Sequence, residues 1–231
     1  LVRRQNRSGG FFGGYGPGDN YFPRQEISWA VKYFLDACYW RIRTAFDADA
    51  DRFPATLDAK DGRLLAITEA LGGGAPGRIL DAGCGKGRFA AALAERFPSA
   101  ELWGVDISEA MLRAAPAAIR KRQGSLMNLP FDDNFFDAAC CVEALEHSVN
   151  PEASIAELCR VVRPGGRLVI VDKNAERRGA LRIEPWEQWF RREEVQAWLE
   201  RFCAAVECRP VAGAGHQKDA GLFLVWQAIR K

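Results

Sequence analysis

The sequence lacks several patterns that would place it in a membrane or secreted class. No apolar run approaches the length of about 20 residues that a transmembrane helix needs, and no signal peptide is visible. The seven cysteines form no C-x-x-C pair, and their odd number and apolar surroundings indicate reduced core thiols. We therefore expect a cytoplasmic protein without a membrane span.

Neither sign of charge dominates the chain. The 32 Lys and Arg residues against 30 Asp and Glu residues give a net charge of +2 at pH 7, which argues neither for nor against nucleic acid, and a nucleic-acid partner is not expected. The sequence also contains no internal repeat and no low-complexity tract. With 231 residues, of which 48% are hydrophobic, one core can serve most of the chain.

Residues 78–89, with the sequence RILDAGCGKGRF, form the most informative pattern. A short apolar strand runs into Asp81, and glycines at 83, 85 and 87 allow a sharp turn that a ligand can approach closely. The helix predicted over 86–97 points its N-terminus at that ligand. A second apolar strand ends at Asp106, where an acid is placed to bind the ribose hydroxyls of an adenosine.

Two cofactors fit this turn, and the glycine spacing separates them. A dinucleotide-binding turn has the pattern G-x-G-x-x-G, whereas Arg88 stands here at the position of the third glycine. Asp81 would face a pyrophosphate unfavourably, but a carboxylate suits the ammonium and sulfonium groups of S-adenosylmethionine. The turn therefore favours S-adenosylmethionine, and a dehydrogenase is the alternative.

The turn resembles the first motif of the class I S-adenosylmethionine-dependent methyltransferases. Residues 131–142 and 160–171 resemble the lead-in to the fourth strand and the Pro-Gly-Gly turn before the fifth strand of that family, and they follow in the same order. The resemblance implies an α/β fold with a Rossmann-like, seven-stranded, mostly parallel sheet and an antiparallel C-terminal edge hairpin. It also implies an N-terminal helical and aromatic cap or lid over residues 1–60, before a methyltransferase domain at 61–231.

The alternation of apolar and polar segments predicts the individual elements. Ser108 is the predicted N-cap of the helix after the second strand, and Pro116 should kink or divide that helix. An amphipathic helix is predicted to begin at residue 193 and to extend to 202. The predicted strands are 78–82, 101–106, 121–125, 136–142, 166–173, 205–212 and 220–229.

The resemblance also implies which residues contact the cofactor. Ser125 replaces the acid that usually accepts a hydrogen bond from the adenine amino group, and its hydroxyl can still accept that bond. The backbone N–H of Leu126 can donate to the ring, and Ile107 and Met127 could enclose the purine. The expected cofactor residues are Asp81, Ala82, Gly83, Cys84, Gly85, Gly87, Asp106, Ile107, Ser125, Leu126, Met127 and Val142.

The catalytic residues are predicted at Glu143, Glu146 and His147, just past the fourth strand. If this segment is one helical turn, the three side chains share a face at the carboxyl edge of the sheet. The segment resembles the E-x-x-E-H of ubiquinone-type O-methyltransferases and small-RNA 2′-O-methyltransferases, in which two acids and an imidazole bind a divalent ion. Three roles stay open: a metal site formed by all three residues, a general base at His147, and a structural role. The metal is not favoured, because the only other histidine is His216.

Two segments are candidates for the substrate site. The glycine-rich and aromatic N-terminal section could order as a lid, or it could simply pack. The basic aromatic segment 177–192 could bind an anionic substrate, stack an unpaired base, or lie as an amphipathic surface segment. The candidate substrate residues are Tyr15, Tyr21, Asp172, Lys173, Asn174, Trp186 and Trp189.

The Asn/Asp-Pro-Pro-aromatic block of enzymes that methylate base or glutamine amino groups is absent after the fourth strand, where the chain reads VEAL. The resemblance therefore implies methyl transfer from S-adenosylmethionine to a small-molecule acceptor of anionic or aromatic character, and we expect the acceptor group to be a hydroxyl. The alternatives are N- or C-methylation of a small molecule, an RNA 2′-O-methyltransferase, and a non-catalytic subunit that binds the cofactor.

Overall fold

A computed structural model describes residues 28–72, 76–177, 186–212 and 221–231. The chain divides into two compact units between Ala45 and Phe46. Helix α1 (Ser28–Asp49) crosses this division, and its residues from Phe46 onward belong to the second unit. The predicted division at residue 60 stays a prediction.

The second unit alternates strands with helices. Its helices are α2 (Gly62–Leu71), α3 (Arg88–Arg96), α4 (Glu109–Ala114), α5 (Pro151–Val161) and α6 (Arg192–Glu200). Its strands are β1 (Arg78–Ala82), β2 (Glu101–Asp106), β3 (Arg120–Gln123), β4 (Phe136–Val142), β5 (Val162–Lys173), β6 (Cys203–Val211) and β7 (Phe223–Arg230). Short 3-10 helices cover Ala50–Arg52 and Leu145–His147.

The seven strands form one sheet in the order β3-β2-β1-β4-β5-β7-β6. Strands β1 to β5 are parallel to their neighbours, and β7 pairs antiparallel with both β5 and β6. This arrangement confirms the predicted fold. It also brings the carboxyl ends of β1, β2, β4 and β5 to one edge of the sheet, where open α/β sheets bind ligands.

Helices cover both faces of the sheet. Because neighbouring residues of a strand point to opposite faces, each central strand contributes side chains to two core clusters. Leu80 and Ile170 lie in a core cluster with residues of α5 and α6, whereas Ile79 and Val171 lie in a second cluster with residues of α2 and α3. Trp226 of β7 is completely buried in the first cluster. The central strands are therefore fixed from both sides, which makes their carboxyl edge a rigid support.

Local side-chain and glycine chemistry sets several element ends. Ser108 caps α4 as predicted, since its hydroxyl accepts from the N–H of Met111 at 3.1 Å, and α4 ends at Ala114, before Pro116. Helix α3 begins later than predicted because Gly87 adopts a left-handed conformation with φ of 75°. Strand β3 ends earlier than predicted because Ser125 enters a turn in which its carbonyl accepts from the N–H of Asn128.

All seven cysteines are free thiols, and five of them are buried. In the described part of the chain, no helix combines the length and the apolar character that crossing a membrane would require.

Candidate functional site

The glycine turn between β1 and α3 lies at the carboxyl edge of the sheet, and its glycines serve different needs. All three have positive φ, at 76° for Gly83, 52° for Gly85 and 75° for Gly87. A Cβ at Gly83 would lie 2.3 Å from the Cβ of Ala144, and one at Gly87 would lie 2.9 Å from Cδ1 of Ile119. A Cβ at Gly85 would meet no atom within 4 Å. Gly85 therefore faces open space, which suits a ligand bound against its backbone.

Asp106 connects this turn to the loop after β2. Its Oδ2 accepts from the N–H of Gly85 and its Oδ1 from the N–H of Ser108, both at 2.8 Å. Burial raises the pKa of Asp106, although the two N–H donors and nearby His147 oppose that rise. An ionised carboxylate has about four acceptor sites, so lone pairs remain for two ligand hydroxyls.

Asp81 lies deeper than the sequence suggested. Its Oδ2 accepts from the N–H of Ala90 in the first turn of α3 at 3.0 Å, and the side chain is 1% exposed. Burial raises the pKa of Asp81 to about 7, and the neighbouring Asp106 contributes to the rise. The Asp81 carboxyl group therefore fixes the start of α3, immediately after the glycine turn.

The other expected cofactor residues surround the ends of β1, β2 and β4. Ala82 and Val142 are buried in the core clusters, so only their backbones are placed to line the edge. Cys84 is buried, and burial raises the pKa of its thiol. The Ser125 hydroxyl accepts from the N–H of Met127 at 3.2 Å within a local turn. Among these candidates, the partly exposed ones are Ile107, Ser125, Leu126 and Met127.

The predicted common face of Glu143, Glu146 and His147 is wrong. Glu143 has a φ of 49°, and the 3-10 helix that follows covers only Leu145–His147. The chain thus changes direction at Glu143 before the helix begins. The carboxylate of Glu143 instead pairs with the guanidinium groups of Arg63 and Arg88.

Arg63, which the sequence patterns did not indicate, fixes Glu143 in this position. The guanidinium of Arg63 also binds Asp61 through two hydrogen bonds, of 2.7 Å from Nη2 and 3.0 Å from Nε. It lies over the rings of Phe89 and Phe223 and is 5% exposed. The one local feature that points to Arg63 is Asp61, the N-cap of α2, whose side chain accepts from the N–H of Arg63.

Glu146 and His147 form a carboxylate–imidazole pair in which Glu146 is buried and His147 is partly buried. Oε1 of Glu146 lies 3.2 Å from Nε2 of His147. Burial opposes ionisation of Glu146, but His147 and Lys173 lower its pKa, so the side chain is a carboxylate. Nδ1 of His147 is buried and has no hydrogen-bond partner among the described residues. The Phe46 ring packs edge-on against the imidazole, with centroids 4.9 Å apart.

Asp172 and Lys173, at the end of β5, hold Glu146 from the other side. Nζ of Lys173 lies 2.8 Å from Oε1 of Glu146 and 3.2 Å from Oε1 of Glu187. Asp172 accepts from the N–H groups of Glu146 and Lys173. Burial and the adjacent Glu146 raise the pKa of Asp172 well above its usual value.

The remaining substrate candidates differ in their placement. Trp189 donates from Nε1 to Glu187 at 3.1 Å and lies beside the Lys173 ammonium, whereas Trp186 is partly buried. The Asn174 side-chain amide donates to the carbonyl of Gly221 and accepts from the N–H of Glu176. Asn174 therefore stabilises a turn. The candidates Tyr15 and Tyr21 lie outside the described residues.

Two members of the basic aromatic segment have roles in packing. Phe190 is 3% exposed and contacts Trp198 edge-on. Arg192 donates to the carbonyl of Cys208 at 2.6 Å and so joins α6 to β6. The other arginines of a basic groove that an RNA substrate would need include Arg178, which lies outside the described residues.

Comparison with known proteins identifies the family. Residues 80–170 match the family model described as a methyltransferase domain. The chain is 33% identical over 183 residues to the ubiquinone biosynthesis O-methyltransferase of Alkalilimnicola ehrlichii, an alignment that covers 66% of this chain and 73% of that relative. The chain belongs to the class I S-adenosylmethionine-dependent methyltransferases. It is therefore an enzyme whose methyl donor is S-adenosylmethionine.

Other methyltransferases are similar over different spans. The ubiquinone/menaquinone biosynthesis C-methyltransferase of Syntrophotalea carbinolica is 39% identical over 117 residues, covering 48% of this chain and 49% of that protein. The chain thus spans about half of that relative. A solved S-adenosylmethionine-dependent methyltransferase of Thermotoga maritima has the same fold, with a TM-score of 0.61, 22% identity, and coverage of 83% of this chain and 100% of that one.

Proposed function

We propose that this methyltransferase acts on a hydroxyl group of a small aromatic molecule of the quinone-precursor type, with His147 as the general base. The Glu146–His147 pair carries the proposal. It lies at the carboxyl edge of the sheet, and Ala144, immediately before its 3-10 helix, packs against Gly83 of the glycine turn. The name of the relative from Alkalilimnicola ehrlichii supports an acceptor of this chemical class.

The residues that would hold the cofactor fit its chemistry. The open space at Gly85 accommodates a ligand against the backbone, and Asp106 has free lone pairs for the two ribose hydroxyls. Ser125 and the backbone of Leu126 are the proposed adenine contacts. When it is bound here, S-adenosylmethionine supplies an electrophilic methyl group.

The base is oriented by its hydrogen-bond partners. Because Glu146 is ionised and accepts from Nε2 of His147, the neutral imidazole carries its proton on Nε2 and presents Nδ1 as an acceptor. A buried acceptor without a donor is satisfied when a substrate hydroxyl enters. The hydroxyl proton then passes to Nδ1, and the adjacent carboxylate stabilises the imidazolium that forms.

The surroundings of the imidazole favour an aromatic acceptor. Phe46 packs edge-on against His147 and shields it from water. Trp189 lies beside Lys173 and donates to Glu187, in the same side-chain cluster as Glu146. An aromatic ring bearing the hydroxyl would fit apolar walls of this kind.

C-methylation is a second candidate, because the relative from Syntrophotalea carbinolica is named as a C-methyltransferase. The same base would remove a phenolic proton and make the adjacent ring carbon nucleophilic. Incubation of the enzyme with isotopically labelled cofactor and a panel of catechols and hydroxyquinones tests both candidates. NMR of the product separates an O-methyl from a C-methyl group, and absence of transfer to every phenolic acceptor would contradict the proposal.

A further inference from the structure

The metal that the E-x-x-E-H resemblance implied does not fit this site. Its three expected ligands are not together, because Glu143 pairs with Arg63 and Arg88. Among the described residues, the group that could hold an ion is instead Glu146, His147 and Glu187, whose ligand atoms lie within 4.8 Å of one another. Two carboxylates and an imidazole suit Mn²⁺ or Zn²⁺.

A lysine ammonium already lies within this group. Nζ of Lys173 is 2.8 Å from Glu146 and 3.2 Å from Glu187, and the Lys173 side chain is only 10% exposed. The third neighbour of the ammonium is the ring of Trp189, whose centroid is 5.7 Å away. Two carboxylates and an aromatic face thus surround the three N–H donors of Nζ. Among the described residues, the ammonium is thus engaged by two carboxylates of the protein itself.

We propose that Lys173 is a built-in cation that takes the place of a divalent ion between Glu146 and Glu187. The ammonium keeps Glu146 in position to orient His147, and it holds Glu187 and Trp189 against the same turn. A divalent ion added beside it would face a like charge within a few ångströms, which opposes binding. The natural enzyme therefore requires no divalent metal at this site.

The charges around Lys173 support this role. Burial by itself lowers the pKa of Lys173, but Glu146 and Glu187 more than offset this effect, so the pKa is raised and the ammonium stays charged. Burial and Glu146 raise the pKa of Asp172, the third acid of the cluster, well above its usual value. The two carboxylates that contact the ammonium are therefore those of Glu146 and Glu187.

The proposal predicts that removing the ammonium creates a metal site. Lys173→Ala leaves Glu146, His147 and Glu187 with space for an ion. We expect the variant to bind one Mn²⁺ at least about tenfold more tightly than the parent protein. Electron paramagnetic resonance of free Mn²⁺ measures this binding without cofactor, acceptor or turnover, so the result is independent of the proposed reaction.

Two control variants locate the acquired ion. Lys173→Ala combined with Glu187→Gln removes a ligand and should abolish the gain, whereas Lys121→Ala, at a lysine that bonds only to the carbonyl of Ala115, should bind Mn²⁺ like the parent. A stoichiometric Mn²⁺ site in the parent that His147→Ala removes would overturn the proposal. A folded Lys173→Ala variant with no gain would also overturn it. If Lys173→Ala does not fold, absence of a stoichiometric site in the parent supports the proposal, and presence of one contradicts it.

Discussion

Oε1 of Glu146 lies 2.8 Å from Nζ of Lys173, although the two side chains are only 1% and 10% exposed. The same Oε1 lies 3.2 Å from Nε2 of His147. One carboxylate oxygen therefore links the end of β5 to the proposed base. This link makes the orientation of the imidazole depend on Lys173, at the end of β5.

Asp106 is predicted to bind the cofactor ribose. Asp106→Ala removes charge-assisted hydrogen bonds of about 1.5–3 kcal/mol, so calorimetry should show S-adenosylmethionine affinity reduced by about tenfold to hundredfold. Ser108→Ala is the control. It removes the hydroxyl bonds to Asp47 and to the N–H of Met111, but it leaves the Asp106 carboxylate in place. Unchanged cofactor affinity in folded Asp106→Ala would exclude the ribose role.

Gly85 is predicted to be adjacent to the bound cofactor. Gly85→Val places methyl groups in the open space at the turn and should abolish cofactor binding. The positive φ of Gly85 also strains any side chain, so a control with the same strain is needed. Gly165→Val is such a control, because Gly165 has a φ of 74° and a Cβ there would meet only Arg163, at 4.0 Å. Both variants should lose thermal stability, but only Gly85→Val should lose affinity. Tight binding by folded Gly85→Val would show that the turn does not contact the cofactor.

Arg63 is predicted to be a structural centre of the site. Arg63→Met leaves the buried Asp61 without its cation and leaves Glu143 with only Arg88, and we expect the free energy of unfolding in urea to fall by about 3–5 kcal/mol. Adding Glu143→Gln should restore part of the loss, because it removes a carboxylate that has lost one of its two cations. Strictly additive effects of the two substitutions would show that the pair is not coupled.

Asp81 is predicted to make stability depend on pH. Its pKa of about 7 in the folded protein exceeds the value of about 3.9 in an unfolded chain. The folded state therefore binds more protons between these values, and stability falls as pH rises through this window. Asp81→Asn keeps an acceptor for the N–H of Ala90 and should reduce the fall in Tm between pH 5 and pH 8. An identical fall in both proteins would contradict this assignment.

Much of the fold followed from the sequence because its signals are local. Alternating apolar segments predicted β1, β2 and β4 with their observed bounds, and Ser108 was recognised as a cap from its position before an apolar helix. The segment after β4 was interpreted incorrectly, because a left-handed residue at Glu143 depends on tertiary contacts. Its carboxylate is held by Arg63, which lies 80 residues away in the chain. The position of Lys173 within the acidic group likewise depends on the packing of β5 against residues 186–190.

A substitution near His147 that keeps the imidazole tests whether the imidazole itself, rather than the fold of the turn, determines the rate. Ser154 is a suitable position for this comparison. The hydroxyl of Ser154 bonds to that of Ser148 at 2.7 Å, immediately after the 3-10 helix, without contacting the imidazole. Ser154→Ala should therefore lower thermal stability while leaving turnover per folded molecule unchanged. A large loss of turnover in folded Ser154→Ala would show that the whole turn, rather than the imidazole, determines the rate.

Methyl transfer by His147→Ala tests the central claim most directly. With labelled S-adenosylmethionine and a phenolic acceptor that the parent methylates, the variant should bind the cofactor normally, ignore chelator and lose about 10²–10⁴-fold in kcat. Parent-like turnover by folded His147→Ala, or a loss that matches only its unfolded fraction, would contradict the assignment of His147 as the base.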